Sequence, residues 1–251
     1  MFKYKYINLK GILMSENKEI ACDIMYSQSN NFVESRFVDF SVLELKVIEF
    51  LISQTDFLKD KTYIKKKQNK FLSIRAIDLA KTINANPKNM YSVATKLVSG
   101  LLKKSIEVGY IDKQGKRAFR GSNFFNNITY SDNTFEFEIN YAILSHFIEL
   151  KKYFTQINLK YITALNSAYA IKLYKLLIQY RTIKNRVLTV QEIRTFLVLD
   201  DKFKQFSDIR KKVIEIAVKQ INDFTDLFVE YEEHKTGRIT TSLTFNIKSP
   251  S

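Results

Sequence analysis

A single cysteine, Cys22, stands in the 251-residue chain, so no internal disulfide can form. That fits a protein kept in a reducing cytoplasm. Two prolines and six glycines are too few for long flexible linkers. The only histidines, His146 and His234, lie far apart and with one cysteine leave no zinc site. Without a His-x-His pair, the fourteen tyrosines offer no metal-dependent strand-nicking centre. No G-x-x-x-x-G-K-[ST] loop is present to cradle a nucleotide, which argues against ATP hydrolysis. Nor does any D-x-D cluster suggest magnesium; Asp200–Asp201 reads as a turn. No apolar run reaches the roughly 20 residues needed to span a bilayer. The start, MFKYKYINLKGILM, is charged and interrupted by Lys10, a poor signal peptide. It reads either as a tail or as residues ahead of a true start at Met14. No catalytic constellation, metal site, cofactor or membrane contact is expected.

What the chain does have is positive charge. Forty Lys and Arg face 26 Asp and Glu, a formal charge of +14, and such a field attracts a polyanion. With 45% hydrophobic residues there is enough apolar material for one large or two small domains.

The pattern is organised around Phe206–Phe224, FSDIRKKVIEIAVKQINDF. Ile209, Val213, Ile216, Ala217 and Phe224 recur at helical spacing and are expected to face inward. Asp208, Lys211, Lys212, Glu215 and Lys219 fall on the other face, and Ser207 is the expected N-cap. Ahead lie an apolar helix, 163–183, a short strand at 186–188, and a helix at 190–197 with Thr189 and Glu192 at capping-box spacing. Behind, 227–232 and 239–247 read as a hairpin turning at Lys235–Arg238. Helix, short strand, helix, basic helix and hairpin is the order of a winged helix.

The first half repeats that order. Residues up to about 31 look irregular. A helix over 40–53 is followed by a charged connection, 59–70, a short strand at 71–74 and a short helix at 76–83. Asn86–Pro87 starts a longer helix, 88–104, with Pro at the first position, where its missing N–H costs nothing. A strand at 106–111, a basic turn at 113–121 and a hairpin over 124–140 around Ser131–Asn133 complete the copy. From Lys88 to Arg120, eight basic residues meet two acids, which suits a phosphate surface; from Phe206 to Phe224 the count is four against three. Residues 144–159 look like a packed connector. The expected fold is α+β and mainly helical, with tandem winged-helix domains, each carrying a small antiparallel hairpin. The expected division is a tail over 1–31, a first domain over 32–150 and a second over 151–251.

Leu165–Leu177, LNSAYAIKLYKLL, resembles a helix of the iteron-binding replication initiators of theta-replicating bacterial plasmids. Those proteins show a serine and then Tyr-Ala-Ile-Arg-Leu-Tyr-Glu-Leu-Leu. FSDIRKKV at 206–213 is similar to the family's Phe-x-Asp-aromatic-basic-basic-basic-Val; Thr225–Leu227, Val229–Tyr231 and the KTGR of 235–238 also match. Lys172 stands where the family has Arg, and Ile209 where it has an aromatic. The match covers about 148–247 well and the first half mainly through element order.

The resemblance implies two winged helices that bind repeated double-stranded sites at an origin, help open an A/T-rich stretch and recruit host replication proteins. It also implies a monomer–dimer equilibrium, with dimers repressing the chain's own gene. The expected DNA-binding residues of the second domain are Ser207, Asp208, Arg210, Lys211, Lys212 and Lys219, with Lys235 and Arg238 on its wing. In the first domain they are Lys88, Asn89, Ser92 and Lys96, with Arg117 and Arg120 on the wing. The rivals are a winged-helix transcriptional regulator without a replication role and a metal-dependent nicking enzyme.

Overall fold

The computed structural model describes residues 23–54, 70–147, 150, 152–199 and 202–248. The expected tail before residue 23 and most of the charged connection at 59–70 lie outside these.

The described residues open with a strand, β1 (Met25–Ser29), and a short helix, α1 (Asn30–Val33), where irregular chain was expected. Alternate residues of β1, Tyr26 and Gln28, are buried, so the segment is half core despite its polar look. β2 (Arg36–Phe37) leads to α2 (Val42–Ser53), which opens on a capping box: Ser41 accepts from the Glu44 N–H, and the Glu44 carboxylate accepts from the Ser41 N–H. β3 (Lys70–Arg75), α3 (Ala76–Thr82), a 3-10 turn at Pro87–Asn89 and α4 (Met90–Leu101) follow. A Cβ added to Gly100 would run into the Glu44 carboxylate, so glycine here permits the close approach of α4 to α2.

β4 (Ser105–Ile111) and β5 (Arg117–Asn123) form one hairpin, and β6 (Phe125–Ser131) and β7 (Thr134–Ile139) a second. The expected basic turn at 113–121 is therefore mostly strand. Then come α5 (Tyr141–Leu144), β8 (Phe154–Asn158), α6 (Leu159–Ala164) and α7 (Ala168–Gln179). The long helix expected over 163–183 is thus two, because Ser167 takes an extended backbone and caps α7. β9 (Asn185–Thr189), α8 (Val190–Leu197), α9 (Phe206–Ile209), a π turn at Arg210–Ile214, α10 (Glu215–Phe224), β10 (Phe228–Thr236) and β11 (Ile239–Lys248) complete the described residues.

Two sheets have the same topology. β3 pairs with β7 of the β6–β7 hairpin, and β9 pairs with β11 of the β10–β11 hairpin, all antiparallel. Each sheet follows its strand with a short helix and a longer one, so the repeated order seen in sequence is a repeated fold. Among the described residues the β4–β5 hairpin has no counterpart in the second unit; it joins β2 in a third sheet. The fourth sheet pairs β1 with β8, from Met25 opposite Asn158 to Ser29 opposite Phe154. This pairing crosses the expected boundary near residue 150 and puts the segment from β8 onward against the start of the chain.

α7, which carries the family-like sequence, lies at the centre. Ala170–Ile178 are all buried, Lys172 and Lys175 included. Lys175 forms an ion pair with Glu49 of α2, which also accepts from Tyr26 Oη at 2.6 Å and Gln28 Nε2 at 2.5 Å. The Lys175 ammonium sits 5.4 Å and 5.0 Å from the ring centres of Phe32 and Phe37. Lys172 Nζ donates to the Phe37 carbonyl at 2.8 Å. On the opposite side Tyr174 Oη donates to Asp226 at 2.9 Å, and Arg181 pairs with the same carboxylate. One helix is therefore tied by charge to both halves.

Candidate nucleic-acid interface

The second unit's basic helix is not a plain α-helix. Its start is held by Gln205 without a side-chain cap, and the expected N-cap, Ser207, falls one residue inside the helix. The π turn at Arg210–Ile214 inserts an extra residue into the helical repeat. After it the buried face shifts to Ile214, Ala217 and Ile221, while Ile216 and Phe224 turn outward at 44% and 48% exposure. Both were expected in the core. A fixed period of 3.6 residues cannot register one wide turn, so the sequence pattern placed them on the wrong side.

The outward face carries Lys211, Lys212, Glu215, Ile216, Lys219 and Asp223. Lys212 pairs with Asp208 at 2.9 Å and Lys219 with Asp223 at 3.5 Å, both across one helical turn. These are exposed pairs of small energetic worth, and a phosphate can displace them readily. Arg210 is committed differently: it reaches Glu233 of β10 at 3.3 Å and Glu215 at 3.7 Å, so it ties the helix to the wing. Glu233 also lies 3.9 Å from Lys235. Asn222 adds a second tie, with Nδ2 donating to the Val229 carbonyl at 2.9 Å and Oδ1 accepting from the Val229 N–H at 2.7 Å. The wing turns at Gly237–Arg238, where Gly237 has φ +62, a region that suits glycine. Arg238 is exposed at that tip, and Lys235 lies in the strand before it.

In the first unit, Lys88 and Asn89 occupy the 3-10 turn and Ser92 and Lys96 the exposed face of α4. The structure thus brings these four together on one surface. It adds Tyr91, 77% exposed on the same face, with its ring 6.4 Å from that of Tyr130 on β6. Sequence reasoning passed over Tyr91, although its position between the outward Lys88 and Ser92 was a usable signal. Arg117 and Arg120 are exposed but not on the sheet that matches the second unit's wing; they lie on the additional β4–β5 hairpin. Arg120 stacks 5.7 Å over Tyr110.

Among the described residues no group of three His, Cys, Asp or Glu side chains could hold a metal ion. Among them, too, no helix is long and apolar enough to cross a membrane.

Known proteins share this arrangement. The family model for initiator replication protein WH1 matches residues 25–178, and that for initiator Rep protein WH2 matches 189–247. A replication initiation protein of Escherichia coli is 23% identical over 174 residues, covering 67% of this chain and 53% of its own. An uncharacterized 27.6 kDa protein of Escherichia coli is 27% identical over 109 residues, covering 43% of this chain and 46% of its own. The chain spans about half the length of these curated relatives. The Pi initiator protein, solved in complex with iteron DNA, superposes with a TM-score of 0.69 at 20% identity, over 91% of this chain and 98% of that one. At that identity the likeness establishes the shared fold.

Proposed function

The chain belongs to the initiator replication protein family, and from that premise we propose that it initiates plasmid replication by binding repeated duplex sites at its origin. The observation that carries this reading is the pair of topologically equivalent units, each presenting an exposed helix face with lysines. We assign the first unit to 25–179 and the second to 185–248, because the β1–β8 pairing and the α7 ion pair join 154–179 to the first half. Two recognition helices in one chain suit two successive major grooves, about one helical turn apart. Lys211, Lys212 and Lys219 meet phosphates or guanine edges, Asp208 a cytosine amine, and Ser207 the nearby backbone. Arg210 positions the helix against its wing, and Lys235 and Arg238 take phosphates beside it. Lys88, Asn89, Ser92 and Lys96 do the corresponding work in the first unit. Opening of an A/T-rich stretch, recruitment of host replication proteins and repression by a dimer belong to the same proposal.

The test is footprinting and titration on duplex DNA carrying the tandem repeats of the replicon that encodes the chain. Wild-type affinity should fall steeply with salt, since each neutralised phosphate releases counterion. Lys211→Ala with Lys212→Ala should weaken protection at one end of the repeat, and Lys88→Ala with Lys96→Ala at the other. Each lost phosphate contact lowers the salt slope by about one unit, and each lost base contact costs about 1–3 kcal/mol at one position. Protection of a single inverted repeat over a promoter, with no binding to tandem repeats, would favour the regulator instead.

Ile216 sharpens the assignment. An apolar side chain among lysines on a recognition face suits the methyl group of thymine. Replacing one thymine of the repeat by deoxyuridine should cost wild type about 0.8 kcal/mol, roughly fourfold. Ile216→Ala should bind the two duplexes equally. If the variant keeps the wild-type preference at every thymine, Ile216 does not read the base.

A further inference from the structure

The β4–β5 hairpin is not explained by two winged helices. Its ring of greatest exposure is Phe119, at 79%. Gly109 stands directly opposite Phe119 in the pairing, and Gly121 lies two residues on, on the same face of the strand. A Cβ built on either glycine would meet nothing within 4 Å. The ring therefore stands clear of the ribbon, with bare backbone beside and below it. Arg117 shares the face, and Lys113 and Lys116 occupy the exposed turn. An aromatic ring that projects from a basic ribbon is matched in charge to a nucleic-acid backbone.

The hairpin's location narrows the target. Its sheet includes β2, whose Arg36 donates to the Thr195 carbonyl of α8 at 3.2 Å and pairs with Glu107 of β4 at 2.7 Å. The hairpin thus springs from the junction of the two units. If each unit's helix occupies a major groove, the duplex segment opposite that junction is the minor groove between them. That groove is only about 6 Å wide. A ribbon thinned by two glycines suits it, and an apolar ring can enter between base steps and unstack them.

We propose that the β4–β5 hairpin inserts Phe119 into the intervening minor groove as an apolar wedge, with Arg117 and the turn lysines on the flanking phosphates. This rests on the duplex-binding reading above. The wedge favours pyrimidine–purine steps, which unstack most readily, so it contributes sequence preference at positions no recognition helix touches.

The experiment uses the full chain and the tandem-repeat duplex, with 2-aminopurine placed in turn at each adenine between the two helix footprints. Wild type should brighten the probe several-fold at one step. Phe119→Ala should abolish the brightening while both footprints remain, and Phe119→Leu, still an apolar wedge, should retain part of it. Because the ring is exposed, both variants should melt as wild type does. Equal brightening by wild type and Phe119→Ala overturns the wedge. So does a Phe119→Ala effect confined to sedimentation, which would assign the hairpin to contacts between copies of the chain. A wild-type protein that footprints the repeat without brightening any position overturns the wedge alone. One that fails to bind the duplex overturns the parent reading as well.

Discussion

Glu49→Leu should destabilise the protein by about 3–5 kcal/mol, because the Lys175 ammonium is left buried without its carboxylate. Both side chains are sealed from water, at 3% exposure for Lys175 and 0% for Glu49. Burial draws the Lys175 pKa down and the Glu49 charge opposes that shift. The substitution also leaves Tyr26 Oη and Gln28 Nε2 without the oxygen they donate to. For a chain of this size each kcal/mol moves the melting midpoint by about 2–4 °C, so a fall on the order of 10 °C is expected. Adding Lys175→Met should recover the part of the loss that comes from the unpaired ammonium, while the donors of Tyr26 and Gln28 remain unsatisfied. Thermal and urea melts of the single and double variants decide the matter. A single variant within about 1 kcal/mol of wild type, close to what ordinary surface changes cost, would show that the pair holds nothing together.

The second large effect is a dependence on pH centred on Lys172. Burial, with the nearby charges of Lys202 and Lys175, pulls its pKa down to about 7. In the unfolded chain a lysine titrates near 10.4. Between these values the unfolded state binds more protons than the folded one, so stability rises with pH. The contribution is complete above about pH 10.4 and is lost as pH falls through 7; at 1.36 kcal/mol per unit its ceiling is about 4–5 kcal/mol. Denaturant melts from pH 6 to 9 should show wild type gaining stability relative to Lys172→Met, which has nothing to titrate there. Parallel curves for the two proteins would remove Lys172 as the source. Lys172→Arg should also lack this slope, because a guanidinium stays charged throughout.

How far the sequence could be read depended on whether the signal was local. Thr189 and Glu192 announced α8 through a capping box that spans four residues, and the structure has it. The β10–β11 hairpin was legible because its strands alternate and flank a Gly turn. β1 was not, because Gln28 is buried only by virtue of Glu49, twenty-one residues on, and the strand's pairing partner lies beyond residue 150. β5 was read as a turn because Gly121 and its arginines mask the alternation of a strand. The lysines of the proposed interface could be picked out as residue types at helical spacing. Ile216 could not, because the π turn that exposes it leaves no mark in a periodic pattern. Lys175 shows the same limit: its burial depends on Glu49, which only the packing of α7 against α2 brings opposite.

The pairing of β1 with β8 also governs when the first unit can form during synthesis. The strand partner of Met25, Asn158, is synthesised more than a hundred residues after it. The lysine that neutralises Glu49 comes later still. Long sequence separation between contacting segments slows folding, and domains generally fold as units while synthesis proceeds. A nascent chain halted near residue 150 would hold β1 without its pairing strand and Glu49 without the Lys175 ammonium. Completion of α7 is therefore the step at which the N-terminal half closes, and translation past residue 179 sets the earliest moment at which it can do so.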